Sequence, residues 1–444
     1  MHLKRLKKKQ NKNLLNKSFR TYFFKGTSVP FFYIQEQQMN SSEHPLKVAF
    51  YTFGCKVNLF ESDQLKKSLS GIEIVSCDNE ADIFVINSCA VTAAAESQAR
   101  NMIRRLSKRG KVILTGCYAR KIKGKISFEN TEIVPDISEV AEILGSHLQY
   151  DAFFTRSRPF IKIQSGCDQF CAYCIIPYLR GPLKSVPLHE IRVLLQKIAE
   201  ENFKEVVLTG IHIGKYGKDL SDGSTLADVV KAAYETVGRV RMGSLESPEI
   251  DERLFGYAKN GMILPHWHIP LQSGCDKTLH AMRRPYKTDD FKRSIEKVIS
   301  NYNELPAFGT DVITGFPGET DEDFTATAKF IESLPFAYGH VFPFSARPGT
   351  PAEKMEKENP VPKQIKKERA AVLRDIFQTK KENFMKSLEG TSEEVIIEEQ
   401  IDENLFAATS SKYQTVNVRG SFSQRELVKV RLSFEKGKLF GSEC

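Results

Sequence analysis

The chain has 444 residues, of which 41% are hydrophobic and 27% are charged. These values are typical of a globular protein and exclude a chain that is disordered throughout, while the length favours two or three domains. No apolar run approaches the roughly 18 residues needed to cross a bilayer, so we expect a soluble, cytoplasmic protein without a membrane partner.

Most of the net charge of +9 lies near the amino terminus. Residues 1–38 hold nine Lys or Arg against Glu36 alone, so this segment carries +8 and residues 39–444 carry +1. Because residues 1–44 lack a periodic apolar face, we expect a disordered basic extension, which is either a transit peptide or sequence upstream of a start at Met39. Any contact with nucleic acid must therefore rest on local basic patches of the folded part.

Residues 45–150 alternate short apolar runs with helical patterns. Strands are predicted at 47–53, 83–86 and 112–114, with helices between them. Such alternation indicates a parallel sheet covered by helices. We therefore predict an α/β fold for this amino-terminal domain.

A second alternating series occupies residues 151–383. Six strands are predicted, at 161–164, 205–209, 241–245, 266–271, 310–314 and 340–344. Six strand-helix units suit a partial or complete parallel barrel, and such barrels collect function at the carboxyl ends of their strands. The predicted strand ends carry Cys167, Gly210, Glu246, Gln272 and Gly315.

Residues 384–444 alternate in polarity and are rich in Val, Ile, Thr and Phe, which predicts a small β-barrel of short strands. Within it, residues 393–403 are acidic, whereas residues 412–438 hold seven basic residues against two acidic ones. We expect the basic segment, beginning at Lys412, to contact phosphates.

The strongest chemical signal is a run of three cysteines, Cys167, Cys171 and Cys174, directly after a predicted strand. The spacing C-x3-C-x2-C lets one loop place three thiolates around a single centre, and soft sulfur ligands select zinc or iron-sulfur clusters. A structural zinc site needs a fourth Cys or His, and the nearest His in the sequence is His189. The missing ligand indicates an iron left open for a cofactor, with a zinc site or three inert thiols as alternatives.

Three further cysteines, Cys55, Cys89 and Cys117, each follow a predicted strand of the amino-terminal domain. The carboxyl ends of parallel strands meet at one edge of a sheet, so residues far apart in sequence can share one metal site. Incidental buried cysteines, as at Cys77, are the alternative. The odd total of nine cysteines, without a secretion signal, argues for reduced thiols that are available to a metal.

The cysteine run, with the aromatic Tyr173 before its last member, resembles the radical S-adenosylmethionine superfamily. Further segments are similar to one family within it, the methylthiotransferases. These segments are 175–182, 208–210, 271–274 and 346–351, while 309–319 resembles the glycine-rich strand end of the superfamily. The resemblance covers residues 45–444 and implies an α/β domain, a partial radical barrel and a carboxyl-terminal barrel of the TRAM type.

The resemblance also implies two 4Fe-4S clusters and S-adenosylmethionine as cofactors. One cluster would bind the cofactor at its open iron and be held by Cys167, Cys171 and Cys174. The other, an auxiliary cluster, would be held by Cys55, Cys89 and Cys117. The residues that we expect to contact S-adenosylmethionine are Tyr173, Gly210, Glu246, Gln272 and Gly315.

In the implied reaction, one S-adenosylmethionine methylates a sulfur associated with the auxiliary cluster. A second yields a 5′-deoxyadenosyl radical that activates the target carbon, and the product carries a methylthio group. The implied partners are a tRNA substrate and an electron donor such as flavodoxin or ferredoxin, and no DNA.

Members of the family differ in substrate. The stretch Gly54-Cys55-Lys56-Val57-Asn58 is similar to the group that acts at C2 of N6-threonylcarbamoyladenosine, next to the anticodon of tRNA. The carboxylate of that nucleoside is expected to pair with Lys56 or Arg180. The alternatives are N6-isopentenyladenosine in tRNA and a noncatalytic iron-sulfur protein that binds RNA.

Other residues carry weaker signals. His266 and His268 share one face of a predicted strand, so they either line the barrel or pack within it. Trp267 is expected in the core, and Cys275 is expected to have no role in either cluster.

Overall fold

The computed structural model describes residues 45–151 and 156–444, and His44–Cys444 form one compact unit. The expected basic extension of residues 1–44 lies outside the described residues. A parallel α/β domain is followed by a partial barrel and then by a small closed barrel, so the predicted fold class is confirmed. In the described part of the chain, no helix is both long and apolar enough to span a bilayer.

The amino-terminal domain contains one sheet with helices on both faces. Its elements are β1 Leu46–Thr52, α1 Lys56–Ser68, β2 Ile72–Val75, β3 Ile83–Ser88, α2 Ala93–Leu106, β4 Lys111–Thr115, α3 Gly116–Ile122, β5 Thr131–Ile133 and α4 Ile137–Ile143. The parallel strands lie in the order β2-β1-β3-β4-β5. Every residue of the central β3 is buried. The edge strands β2 and β5 were not predicted, because they are short and half-exposed and so lack a continuous apolar run.

The second part contains six barrel strands, a short antiparallel pair of strands and the intervening helices. Its elements are β6 Phe160–Lys162, β7 Gln164–Ser165, α5 Ile176–Arg180, β8 Lys184–Ser185, α6 Leu188–Glu200, β9 Val206–Thr209, α7 Leu226–Val237, β10 Val240–Met242, α8 Glu252–Lys259, β11 His266–His268, α9 Asp276–Ala281, α10 Thr288–Ile299, β12 Ala307–Thr314, α11 Asp321–Ser333, β13 Phe336–Pro343 and α12 Pro351–Glu358.

The barrel strands pair in parallel as two three-stranded sheets, β6-β9-β10 and β11-β12-β13. A parallel bridge between Ser244 and His268 joins the two sheets into one curved surface. Within the described residues β6 does not pair with β13, so the barrel is partial rather than complete.

Side chains alternate across each barrel strand, so one face packs on the helices and the other lines the interior. The fully buried Trp267 belongs to the hydrophobic core that includes Phe291 and Ile295 of α10, which places it on the helix side, as predicted. Its neighbours His266 and His268 therefore lie on the inner face of the barrel. His266 is buried and packs against Tyr338 and Tyr413, whereas His268 is only half-buried.

The carboxyl-terminal part begins with a long helix that leads into a closed barrel. Its elements are α13 Lys363–Ser387, β14 Ser392–Asp402, β15 Leu405–Ser410, β16 Thr415–Arg419, β17 Leu427–Glu435 and β18 Lys438–Glu443. The strands close in the order β14-β15-β16-β18-β17, which leaves no unpaired sheet edge in this barrel. Lys412 is buried and paired with Glu304 and Glu393, so the expectation that it contacts phosphate was wrong.

A buried cluster of charges joins the base of the large barrel to the small one. Glu205 is fully buried and lies within 3.6 Å of three guanidinium groups, those of Arg158, Arg239 and Arg241. Arg241 also donates to the backbone carbonyls of residues 410 and 411 in the small barrel. Although burial opposes its charge, the three arginines hold the pKa of Glu205 below its usual value. One carboxylate thus supports the contact between the two barrels.

We predict that Glu205→Ala destabilises the protein by about 3–5 kcal/mol, because it leaves buried arginines without their shared carboxylate. The apparent melting temperature should fall by several degrees. The control is Glu235→Ala, which removes an exposed carboxylate from an i,i+4 pair and should change stability by less than about 0.5 kcal/mol. Equal melting temperatures for the two variants would contradict the role given to Glu205.

Candidate active site

Cys55, Cys89 and Cys117 lie where three neighbouring strands of the amino-terminal sheet end. Cys55 follows β1, Cys89 follows β3 and Cys117 begins α3 directly after β4, and these strands are adjacent in the sheet. Gly54 allows the first loop to pass close to the second, since a Cβ at Gly54 would lie 2.9 Å from the Cβ of Cys89. The structure therefore brings the three predicted residues to one edge, as the auxiliary triad.

Burial governs the chemistry of two thiols of this auxiliary triad, those of Cys89 and Cys117, whereas Cys55 is exposed. Burial raises the pKa of the Cys89 thiol to about 11, and the neighbouring Cys117 and Cys55 thiols add to that shift. Burial also raises the pKa of Cys117, although Arg180 opposes it. At neutral pH such thiols stay protonated unless a metal replaces the proton.

Arg180 connects the auxiliary triad to the barrel. Its Nε donates to the Sγ of Cys117 at 3.4 Å, and its Nη1 pairs with Glu61 at 2.8 Å. Its Nη2 donates to Asn58 at 2.6 Å and to Glu61 at 3.1 Å. The guanidinium is buried and fully engaged, so Arg180 is not free to pair with a substrate carboxylate.

Cys167, Cys171 and Cys174 lie on the loop between β7 and α5, and form the second triad. The loop is held by backbone hydrogen bonds from Cys167 to the carbonyl of Gly181 and from Cys174 to the carbonyl of Cys171. Burial raises the pKa of Cys174 to about 12, and the Cys171 and Cys167 thiols add to the shift. Three sulfurs are therefore grouped on one loop, as the spacing predicted.

Arg284 has the same role at the second triad that Arg180 has at the first. Its Nη1 donates to the Sγ of Cys171 at 3.3 Å and to the Tyr173 hydroxyl at 3.4 Å, and its Nη2 pairs with Glu246. Burial raises the pKa of Glu246, an effect that Arg284 opposes. Arg284 was missed in the sequence, because it lies far from the cysteines along the chain and belongs to none of the recognised segments.

His212 also contacts the second triad and was not predicted. Its Nδ1 lies 3.2 Å from the Sγ of Cys167 and its Nε2 lies 2.7 Å from Glu249. Burial disfavours the charged imidazole, but the hydrogen bonds to Cys167 and Glu249 raise the pKa of His212 to about 10. The only signal in the sequence was its position two residues after Gly210.

The residues expected to contact S-adenosylmethionine lie at the strand ends around the second triad. Tyr173 and Glu246 both contact Arg284.

The other three residues are distinguished by their backbone. Gln272 pairs with β12 and has a left-handed φ of 64°, which is unusual for a residue other than glycine. Gly315, with φ of 68°, donates its N–H to Glu319. Gly210 follows β9, where a Cβ would meet the side chain of residue 213 at 2.7 Å. Contact of these five residues with the cofactor stays a prediction.

The two triads are linked by α5. Its residues Ile176 and Leu179 pack on the core of the amino-terminal domain, and its last residue is Arg180. Five helical residues span only about 8 Å, so one short helix separates Cys174 from Arg180, which contacts Cys117 of the auxiliary triad.

The sulfur atoms and their neighbours fit iron-sulfur clusters. Each triad offers three thiols and no fourth cysteine, and three thiolates leave one iron of a four-iron cluster open. At the second triad His212 also lies close, with Nδ1 3.2 Å from Cys167 and Nε2 held by Glu249. Each triad is contacted by one buried arginine, and thiolate-bound clusters are stabilised by hydrogen bonds to their sulfurs. The pairing of each arginine with a glutamate keeps its guanidinium in place when no cluster is bound.

Comparisons with known proteins place these features in context. Residues 47–135 match the family described as "Uncharacterized protein family UPF0004", and residues 161–331 match the radical SAM superfamily. In solved structures, the fold is similar to the radical S-adenosylmethionine methyltransferase TsrM from Kitasatospora setae, with a TM-score of 0.51 and 11% identity. That similarity covers 69% of this chain and 77% of TsrM.

Relatives of known name match most of the chain. The threonylcarbamoyladenosine tRNA methylthiotransferases MtaB of Aquifex aeolicus and Rickettsia prowazekii are 34% and 36% identical to it. These matches cover 80% and 88% of this chain, and 93% and 97% of the relatives. The tRNA-2-methylthio-N(6)-dimethylallyladenosine synthase of Fervidobacterium nodosum is 31% identical, over 89% of this chain and 98% of the relative.

We predict that Arg180→Met weakens retention of iron by the auxiliary triad about 10- to 100-fold, since it removes the hydrogen bond to Cys117 and leaves Glu61 with Lys162 as its cationic partner. The measurement is the iron left after anaerobic competition with a chelator, where about four of eight irons should be lost first. The control is Arg120→Met, which removes an exposed partner of Asp136. Retention equal to that of wild type would show that Arg180 does not support a cluster.

Proposed function

Because the chain belongs to the methylthiotransferase family of radical S-adenosylmethionine enzymes, we propose that it adds a methylthio group to C2 of N6-threonylcarbamoyladenosine next to the anticodon of tRNA. Family membership confirms three predictions made from the sequence. These are the family itself, the enzyme class of a radical S-adenosylmethionine tRNA methylthiotransferase, and the use of 4Fe-4S clusters with S-adenosylmethionine.

The proposed ligands of the clusters are the two triads. The auxiliary cluster is assigned to Cys55, Cys89 and Cys117, and the cofactor-binding cluster to Cys167, Cys171 and Cys174. When bound, the clusters and S-adenosylmethionine supply the electron, the methyl group and the radical chemistry that opens an unactivated C–H bond.

The chain's own side chains hold this site in place. Arg180 and Arg284 donate to one sulfur of each triad and are anchored by Glu61 and Glu246. Their charges offset the negative charge that thiolates bring into a buried region.

Lys56 supports the choice of N6-threonylcarbamoyladenosine as the substrate. It follows Cys55 directly, and within the described residues its ammonium has no ion-pair partner. It lies 5.8 Å from the Phe160 ring and 5.6 Å from the Tyr413 ring. Arg180 is already paired with Glu61, so of the two candidates only Lys56 remains free to meet the carboxylate of a threonylcarbamoyl group.

The alternative substrate is N6-isopentenyladenosine, because the relative from F. nodosum is named as a dimethylallyladenosine synthase. The apolar tail of this nucleoside would bring no anion to Lys56 and would bind better in an apolar pocket. The other alternative, a noncatalytic iron-sulfur protein that binds RNA, is not favoured by membership in a family of enzymes. Release of 5′-deoxyadenosine from S-adenosylmethionine would exclude it.

Contact with tRNA is proposed for the outer face of the carboxyl-terminal barrel. Lys429 and Arg431 on β17 are exposed, because the alternate residues Val428, Val430 and Leu432 face the core of the barrel. Such lysines and arginines bind phosphates without reading sequence. We further propose flavodoxin or ferredoxin as the electron donor, and the cytoplasm as the location where the enzyme meets its tRNA.

The test of the substrate uses two tRNAs of the same sequence, one with each N6 modification. The cluster-loaded enzyme should add the methylthio mass to the threonylcarbamoyl nucleoside at least about 10-fold faster, in kcat/KM, than to the isopentenyl nucleoside. Nucleoside mass spectrometry reports the product. Modification of the isopentenylated tRNA alone would refute the substrate while leaving the family assignment intact.

A further inference from the structure

The inner face of the barrel carries a polar group of side chains that the cluster chemistry does not use. His268, Asp311 and His340 come from the adjacent strands β11, β12 and β13, and Asp311 and His340 are direct partners in the strand register. Their ring nitrogens and carboxylate oxygens lie within 4.8 Å of one another. His268 and Asp311 are half-buried and His340 is exposed, so a ligand can reach all three. We call this group the inner wall.

Two of the three residues are already oriented. His268 places Nε2 3.1 Å from Asp311 and Nδ1 3.2 Å from the Tyr338 hydroxyl. That hydroxyl also lies 2.8 Å from Nε2 of the buried His266. The imidazole of His268 is therefore fixed at both nitrogens, and its contact with Asp311 leaves the second carboxylate oxygen free to accept a hydrogen bond.

His340 is the unused member of the inner wall. Its ring stacks on His268 at 5.8 Å between centroids and meets the Tyr338 ring edge-on at 5.5 Å. In the described part of the chain, neither of its ring nitrogens has a hydrogen-bond partner. An exposed imidazole held by ring contacts alone can donate a hydrogen bond to a ligand without breaking an existing contact.

Within the described residues Lys56 has no ion-pair partner, whereas the nearby arginines are paired with Glu205, Glu394 and Glu398. Lys56 reaches the inner face from the amino-terminal domain and lies over Tyr413, the same ring that Arg158 and Arg241 approach. Glu205 is already shared by three arginines. A small anion placed between Lys56 and His340 would therefore be attracted, whereas a purely apolar group would leave these polar side chains unpaired.

We propose that Lys56 and the inner wall form the binding site for the amino-acid substituent of the modified adenosine. The carboxylate of this substituent pairs with Lys56 and accepts a hydrogen bond from His340, and Asp311 accepts one from its hydroxyl or amide N–H. The inference rests on the proposed function, and it deepens that function by assigning His340 and Asp311 as residues that determine specificity. The His268 ring acts as a positioning residue for Asp311.

The experiment uses cluster-loaded enzyme and two substrates, tRNA with N6-threonylcarbamoyladenosine and the same tRNA with that carboxylate converted to its methyl ester. Wild type should prefer the free acid by about 10- to 100-fold in kcat/KM, as expected for hydrogen bonds to a charged group. Lys56→Met and His340→Phe should each remove most of this preference. Each variant loses a contact with the carboxylate, so the reaction of the free acid slows while the reaction of the ester is little changed. His340→Phe keeps an aromatic ring to stack on His268.

Further variants separate binding from folding. Lys56→Arg keeps the positive charge and His340→Gln keeps a hydrogen-bond donor, so both should retain most of the preference for the acid. Lys231→Met removes an exposed lysine on α7 and should behave as wild type. Iron content should be equal in all variants, which would show that the clusters are loaded, and Lys231→Met should also match wild type in the release of 5′-deoxyadenosine without tRNA.

The outcomes distinguish the two proposals. If wild type modifies the threonylcarbamoyl tRNA but Lys56→Met and His340→Phe keep the full preference for the acid, the inner wall is not the binding site. If wild type modifies only isopentenylated tRNA, the proposed function fails and this inference falls with it. One divalent ion other than iron per chain, bound by wild type and lost in His340→Phe, would assign the inner wall to a metal and overturn the proposal.

Discussion

Arg180 is buried between the amino-terminal sheet and the barrel, where its guanidinium pairs with Glu61 and donates to Cys117. It ends a helix of five residues that begins just after Cys174. A buried ion pair of this kind adds little net stability, yet it is strongly destabilising when one partner is removed. The pair therefore acts as a constraint on position, and it fixes the auxiliary triad relative to the loop that carries the other three cysteines.

The same arrangement recurs elsewhere in the interior. Arg284 joins Glu246 to Cys171 at the second triad, and Glu205 joins three arginines at the base of the barrel. In each case a buried charge is matched by an opposite one, as the cost of burying ions requires. Against this background Lys56 and His340 stand out, because within the described residues they face the barrel interior without such partners. Unmatched polar groups in a lined, accessible space are the places where a polar substrate can bind.

Much of the architecture could be predicted from the sequence, because its signals are local. The cysteine spacing and the alternation of strands and helices can each be recognised within a short stretch of sequence. Because Cys55, Cys89 and Cys117 each follow a predicted parallel strand, their meeting at one edge of the sheet could also be predicted. The residues that were missed lie far apart in sequence and meet only in three dimensions. Arg284, His212 and the grouping of Asp311 and His340 with His268 become visible only when strand register and side-chain direction are known.

Two errors have equally physical causes. The edge strands β2 and β5 expose half of their residues and so lack the continuous apolar run that marks β3. Lys412 was counted among the exposed basic residues because charge alone suggests a solvated side chain, but it is buried between Glu304 and Glu393. The type of a residue predicts only how often such residues are buried, whereas pairing with other elements decides whether a particular residue is buried.

The central claim is that the two triads hold separate clusters with separate tasks, and iron content measured together with cofactor cleavage tests it most directly. Wild type should hold about eight irons. Replacing Cys167, Cys171 and Cys174 with Ala should leave about four irons and abolish release of 5′-deoxyadenosine. Replacing Cys55, Cys89 and Cys117 with Ala should also leave about four, but cleavage should survive while methylthio transfer is lost. Equal loss of cleavage in both variants would contradict the division of labour.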